Sequence, residues 1–241
     1  MQMSALTQKR TDGYKPLFFL FCLFALGWIT ILLYAGGMTT SIKAGMAFLD
    51  WPLSNGSVNP AGWLTESDKM AEHSHRLLGM KIGLLSIGLF LWTYLRESRD
   101  WVRTLARVLL WVVILQGLLG GARVRFDQLN IMSDHNLLAQ SFAVVHACGA
   151  MVVLGILVTL TLASTRRWIE ASAGLNVQQP TGVKRWGIIA TVSIFLQILV
   201  GAIMRHADAG LALVKFPMST ATTWLPTYWN FDVSVHFAHR I

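Results

Sequence analysis

Glu72-His73-Ser74-His75-Arg76 runs straight into Leu77-Leu78-Gly79-Met80-Lys81, the start of an apolar stretch that continues to Leu95. Glu72 and His75 are three residues apart, so on a helix they share a face. Arg76 follows at once. Gly79 and Gly83 continue the stripe below His75 and leave room for something flat and wide against the backbone. A carboxylate, an imidazole and a guanidinium are costly at the mouth of a membrane helix, and ionisable groups kept there mark functional sites. The pattern returns near residue 240 as His236-Phe237-Ala238-His239-Arg240, with the two His-Arg pairs 164 residues apart.

Working outward, the apolar runs set the fold class. Of 241 residues, 54% are hydrophobic and 13% charged, too apolar for an ordinary soluble domain. Runs near the roughly 20 residues needed to cross a bilayer occupy 17–35, 77–95, 108–122, 136–165 and 186–204, and a sixth begins near Val233. The expectation is an all-α membrane protein with five helices and the first turns of a sixth. The first apolar run is long and no small-residue cleavage site follows it, so no cleavable signal or transit peptide is expected.

A net charge of +8 would suit a nucleic-acid ligand, but its distribution points elsewhere. With the N-terminus in the cytoplasm, the cytoplasmic segments hold 11 basic residues against four acids, Asp12, Glu97, Asp100 and Glu170. The other side holds nine basic and eight acidic residues. That asymmetry is the positive-inside bias, so the basic balance reads as topology and no nucleic-acid partner is expected. Cys22 and Cys148 both fall inside apolar runs, where buried small apolar residues are the expected role and no disulfide or thiolate metal site is.

An internal repeat organises the chain. Ala44-Gly45-Met46-Ala47-Phe48-Leu49-Asp50-Trp51-Pro52-Leu53-Ser54 returns as Ala209-Gly210-Leu211-Ala212-Leu213-Val214-Lys215-Phe216-Pro217-Met218-Ser219, identical at five of 11 positions at an offset of 165. Gly201 falls on Gly36 at the same offset. Four helices within the repeat keep the orientation, so both loops and both His-Arg pairs belong on one side of the membrane. The expected domains are a four-helix bundle over 1–165, a basic cytoplasmic linker over 166–185, and the start of a second bundle over 186–241.

The histidines carry the chemistry. His146 stands in the apolar fourth run and His75 at the outer end of the second. Two neutral imidazoles from facing helices are what a haem iron needs for axial ligation, and Gly149 and Ala150 could let a macrocycle lie close to His146. His73, two residues from His75, points to another face and reads as an interface residue. His135 and His206 read as loop residues. His236 takes the place of Glu72 in the second repeat, on the face of His239, so one half pairs carboxylate with imidazole and the other imidazole with imidazole. Arg76, Arg240 and Lys81 either snorkel or pair with haem propionates.

These features together resemble the haem A synthases: the Gly36-Gly37 helix end with Asp50-Trp51-Pro52-Leu53, Glu72-x-x-His75-Arg76, Gln116-Gly117-Leu118-Leu119-Gly120, His146, Arg205-His206 with Ala209-Gly210-Leu211, and His239-Arg240. The resemblance covers nearly the whole chain. It implies eight helices in two four-helix bundles, and oxidation of a ring methyl of haem O to a formyl group, giving haem A for terminal oxidases. By the same resemblance His75 and His146 ligate the substrate haem, Glu72 assists catalysis, and His239 ligates a cofactor haem b whose other ligand belongs to an eighth helix. The sixth run breaks off at Ile241, so the second bundle is expected to be incomplete and these residues to hold at most one haem. Some members carry a cysteine pair in the first outer loop; this sequence has none there.

Expected partners are haem O, membrane lipid, haem O synthase, an electron donor and further copies of the chain. The expected location is a bacterial cytoplasmic membrane, ahead of a mitochondrial inner membrane. Two other readings compete: a bis-histidine b-type cytochrome that only passes electrons, and a transporter or structural subunit whose histidines bind nothing. Glu72 favours the enzyme, because a pure electron carrier needs no carboxylate beside an axial ligand.

Overall fold

A computed structural model describes residues 13–128, 137–174 and 181–241. Its helices are α1 (Pro16–Ser41), α2 (Ser67–Arg96), α3 (Asp100–Gln128), α4 (Leu137–Ala163), α5 (Arg166–Gly174), α6 (Thr181–His206) and α7 (Phe231–Arg240), with one 3-10 turn at Ala209–Leu211. Five of them, α1 to α4 and α6, are long and apolar enough to cross a membrane. Among the described residues there is no strand, only an isolated bridge between Ser54 and Ser57. The chain is an all-α, multi-pass membrane protein.

Helix ends differ from the apolar runs for a physical reason. Hydropathy locates the part of a helix that suits lipid, whereas the helix continues as far as backbone hydrogen bonding and local sequence permit. Thus α2 starts at Ser67, ten residues before Leu77, through the good helix formers Lys69, Met70, Ala71 and Glu72. The Glu72–Arg76 stretch therefore lies within a helix, on its second and third turns. Likewise α3 starts at Asp100, so the connection from α2 is only Glu97, Ser98 and Arg99. Pro16 opens α1, where its missing N–H costs nothing. Asn230 caps α7 by accepting the Val233 N–H at 2.8 Å.

The chain folds as two compact units. The first comprises the described residues of Met1–Phe48, Asn59–Gly117 and Val152–Asn176. Its core is built on Phe18, Cys22, Ala25, Ile29 and Leu32 of α1, spaced by four and three so that they form one stripe. That stripe packs on Ile82 and Leu89 of α2, Leu109 and Val113 of α3, and Leu157 and Leu160 of α4. Cys22 sits fully buried in it, as its small apolar character suggests. At one end Arg99 pairs with the buried Glu97 at 2.8 Å and also donates to the Ala163 carbonyl at 2.8 Å, fastening the α2–α3 turn to the end of α4.

The second unit comprises Leu49–Val58, Leu118–Met151 and the described residues of Val177–Ile241. Phe126 of α3 stacks on Phe142 of α4 with centroids 5.1 Å apart. Cys148 of α4 is buried. Around α6 and α7, Ala202, Ala209, Leu213 and Val233 are buried together with His236. Large apolar side chains such as Leu17, Leu84, Trp111 and Trp186 point outward in the two units; exposed apolar surface on this scale belongs against lipid.

Candidate functional site

His75 is held by the packing of α2 on α1. The Thr39 hydroxyl bonds the Ala71 carbonyl at 3.1 Å, and the Trp28 indole N–H donates to the Leu78 carbonyl at 3.1 Å. These two ties bracket His75 along α2. Between them the His75 ring lies against Gly36 of α1: a Cβ at Gly36 would stand 2.8 Å from Cε1 and 3.2 Å from Nδ1. Only glycine lets the imidazole sit there. Cβ atoms at Gly79 and Gly83 would meet nothing within 4 Å, so the stripe below His75 is open, as the sequence suggests.

Glu72, one turn before His75, is 4% exposed. A buried carboxylate must be paired and hydrogen-bonded, and its partners come from the α1–α2 loop and its own helix. Oε2 accepts the Phe48 N–H at 3.0 Å, and Oε1 accepts the Arg76 guanidinium. Arg76 also donates to the Phe48 carbonyl at 3.0 Å and lies over the Phe48 ring. His73 departs from expectation. Instead of facing an interface it is buried, with the Trp63 ring 4.8 Å away edge-on and the Phe48 ring at 6.0 Å, because the loop folds over that face of α2. The Lys81 ammonium sits 4.7 Å above the Trp28 ring.

In the second unit His146 of α4 lies against Gly120 of α3, where a Cβ would stand 3.4 Å from Cε1. The next residue, Gly121, carries the Trp51 ring, whose Cδ2 would be 2.5 Å from a Cβ there. His239 of α7 lies against Gly201 of α6, with Cε1 2.6 Å from a Cβ at that position. The Gln197 amide of α6 reaches the His239 Nδ1 at 3.4 Å and bonds its carbonyl. His236 is buried, and its Nδ1 accepts the Leu213 N–H at 3.1 Å. Arg240 donates to the carbonyls of Leu213 and Lys215 and lies over the Phe216 ring. His206 ends α6, half-buried and in the field of Arg123, Arg205 and His146. His135 lies outside the described residues.

One arrangement therefore occurs three times among the described residues, tightly at Gly36 and Gly201 and in ordinary van der Waals contact at Gly120. An imidazole on one helix is seated on a glycine of the helix before it: His75 on Gly36, His146 on Gly120, His239 on Gly201. The sequence singled out the imidazoles but not the seats. Gly36 and Gly201 were visible as a pair at the repeat offset, and Gly120 as the end of the Gln116–Gly120 motif; what they touch needs the fold. Gln197 carried no signal at all. Among the described residues no three His, Cys, Asp or Glu side chains converge on a common point. An imidazole binds a metal through one nitrogen, so single imidazoles suit a metal whose other positions a macrocycle fills, and not an all-protein metal cage.

Comparison with known proteins adds the following. A family profile described as cytochrome oxidase assembly protein (COX15-CtaA) matches residues 64–241. The heme A synthase of Bacillus licheniformis is 31% identical over 216 residues, covering 87% of this chain and 65% of that protein. The heme A synthase of Halalkalibacterium halodurans is 28% identical, covering 88% of this chain and 67% of that one. That of Shouchella clausii is 30% identical, with 88% and 66% covered. The chain thus spans 65 to 67% of the length of these relatives. No solved structure matches it.

Proposed function

The chain belongs to the COX15-CtaA family of cytochrome oxidase assembly proteins, and from that premise we propose that it is a haem A synthase, an oxidoreductase that converts a ring methyl of haem O to formyl. The observation that carries the reading is the threefold seating of an imidazole on a glycine. A packed seat fixes ring orientation, which is what a histidine that would hold haem needs.

In this reading His75, His146 and His239 would hold haem. The open stripe at Gly79 and Gly83 is where a planar macrocycle could approach α2 closely. Haem iron, when bound, supplies the oxidising chemistry; haem b is the electron-passing cofactor and haem O the substrate. The chain's own groups hold and polarise. Glu72 keeps a buried negative charge one turn from His75, where it would favour positive charge developing on a substrate held there. Arg76 and Arg240 lie beside His75 and His239 in sequence and are the candidates to pair with propionates. Haem O synthase, an electron donor and further copies of the chain remain proposed partners.

The repeat is proposed as two parallel four-helix modules, 1–165 and the part beginning at 186, joined by 166–185. The geometry supports it: the first loop buries Ala44, Phe48 and Ser54, and the second buries Ala209, Leu213 and Ser219, each 165 residues on. The N-terminus is proposed to face the cytoplasm of a bacterial cell, with both loops outside. Leu49 and Val214 are equivalent and exposed. Cysteines placed at Leu49 and Val214 should both react with a membrane-impermeant maleimide on intact cells. Labelling of only one of them would break the parallel repeat.

The activity itself is tested by extracting haem from the purified protein. In the protein with both bundles complete, haem O and haem A beside haem B are the expected result. Haem B on its own would make the chain an electron carrier, and an extract without haem would remove both readings.

A further inference from the structure

We propose that Glu72 is a positioning residue as well as a charge, and that it and His236 are interchangeable clamps that hold the two repeated loops onto the helices that carry His75 and His239. The inference rests on hydrogen bonds that recur in register. In the first half the Phe48 N–H donates to Glu72 and the Phe48 carbonyl accepts from Arg76. In the second half the Leu213 N–H donates to His236 and the Leu213 carbonyl accepts from Arg240. Phe48 and Leu213 are equivalent loop positions, 165 residues apart, and both are buried. One residue's N–H and C=O are thus gripped together by the first and last members of the motif, with the axial candidate between them.

The two clamps solve one problem with different acceptors. A buried backbone N–H has to be paired, and either a carboxylate oxygen or an unprotonated imidazole nitrogen will accept it. His236 accepts at Nδ1, which leaves the ring hydrogen on Nε2. The arginines adjust to the swap. Arg76 divides its donors between Glu72 and the Phe48 carbonyl. Arg240, whose motif has His236 in place of the carboxylate, bonds a second carbonyl, that of Lys215. Whatever the halves share is loop holding; what only the first half has is the negative charge. Glu72 therefore holds the loop onto the helix that carries His75, in addition to the electrostatic part assigned above.

The test replaces one clamp by the other in the full chain, purified in detergent, and reads trypsin cleavage at the exposed loop residues Lys43 and Lys215, which does not depend on haem chemistry. Glu72→Ala should be cut at Lys43 at least about tenfold faster than the parent, since cleavage there follows local opening. Glu72→His should restore the parent rate to within about threefold. In the other half, His236→Ala should be cut faster at Lys215 and His236→Glu should not. Parent-like cleavage of Glu72→Ala at Lys43 would overturn the proposal. So would Glu72→His as labile as Glu72→Ala at Lys43, or His236→Glu as labile as His236→Ala at Lys215. Neither result would touch the synthase reading, whose test is the haem extract.

Discussion

Gly36→Ala is expected to lower haem affinity at His75 by about 10- to 100-fold, the range seen when groups that orient a metal ligand are disturbed. The added Cβ would stand 2.8 Å from Cε1 and 3.2 Å from Nδ1 of the imidazole. Something must move, and the ring is the softer partner, since α1 and α2 are tied on either side by Thr39 and Trp28. Gly37→Ala is the control, because a Cβ at Gly37 meets nothing within 4 Å. Both substitutions favour the helix by about 1 kcal/mol, so a stability effect would move them together. Loss of haem in the Gly36 variant only is the predicted outcome, read by haem absorbance per protein after purification. Equal haem in the two would mean that the seat does not serve ligation.

Glu72→His is expected to separate the clamp from the charge. Loop and haem should stay, while haem A formation in cells falls by about 100-fold, the lower range for losing a group that acts in the transition state. The first half would then carry the imidazole that the second half already uses at His236, where Nδ1 holds the Leu213 N–H. What disappears is the buried negative charge beside His75. Haem O accumulating on the variant, with little haem A, is the expected extract. Wild-type haem A from Glu72→His would leave Glu72 with loop holding and no part in the chemistry.

How much of this was legible in the sequence depends on the range of the interaction. Crossing helices declare themselves because each contiguous run must satisfy lipid by itself, and the five long apolar helices lie where the runs lie. The ends of α2 and α3 were hidden, since polar helix formers such as Lys69 and Glu72 carry no hydropathy signal. The motif order identified haem A synthases, and the family profile and relatives agree with that reading. Tertiary partners were out of reach. Nothing near Arg76 says that its guanidinium will seek the Phe48 carbonyl, 28 residues upstream. Nothing near His73 says that Trp63 will fold over it. The glycine seats lie between these cases: Gly36 and Gly201 matched at the repeat offset, but a match in sequence does not tell which imidazole each will face.

The ligand role of the three seated imidazoles is measured most directly by haem content after all three are removed. Protein with His75→Ala, His146→Ala and His239→Ala should reach the membrane, since none of the three forms part of the α1–α4 core stripe. Purified beside the parent, it should give a pyridine extract with at least about tenfold less haem per chain. Haem retained at the parent level would contradict ligation by His75, His146 and His239.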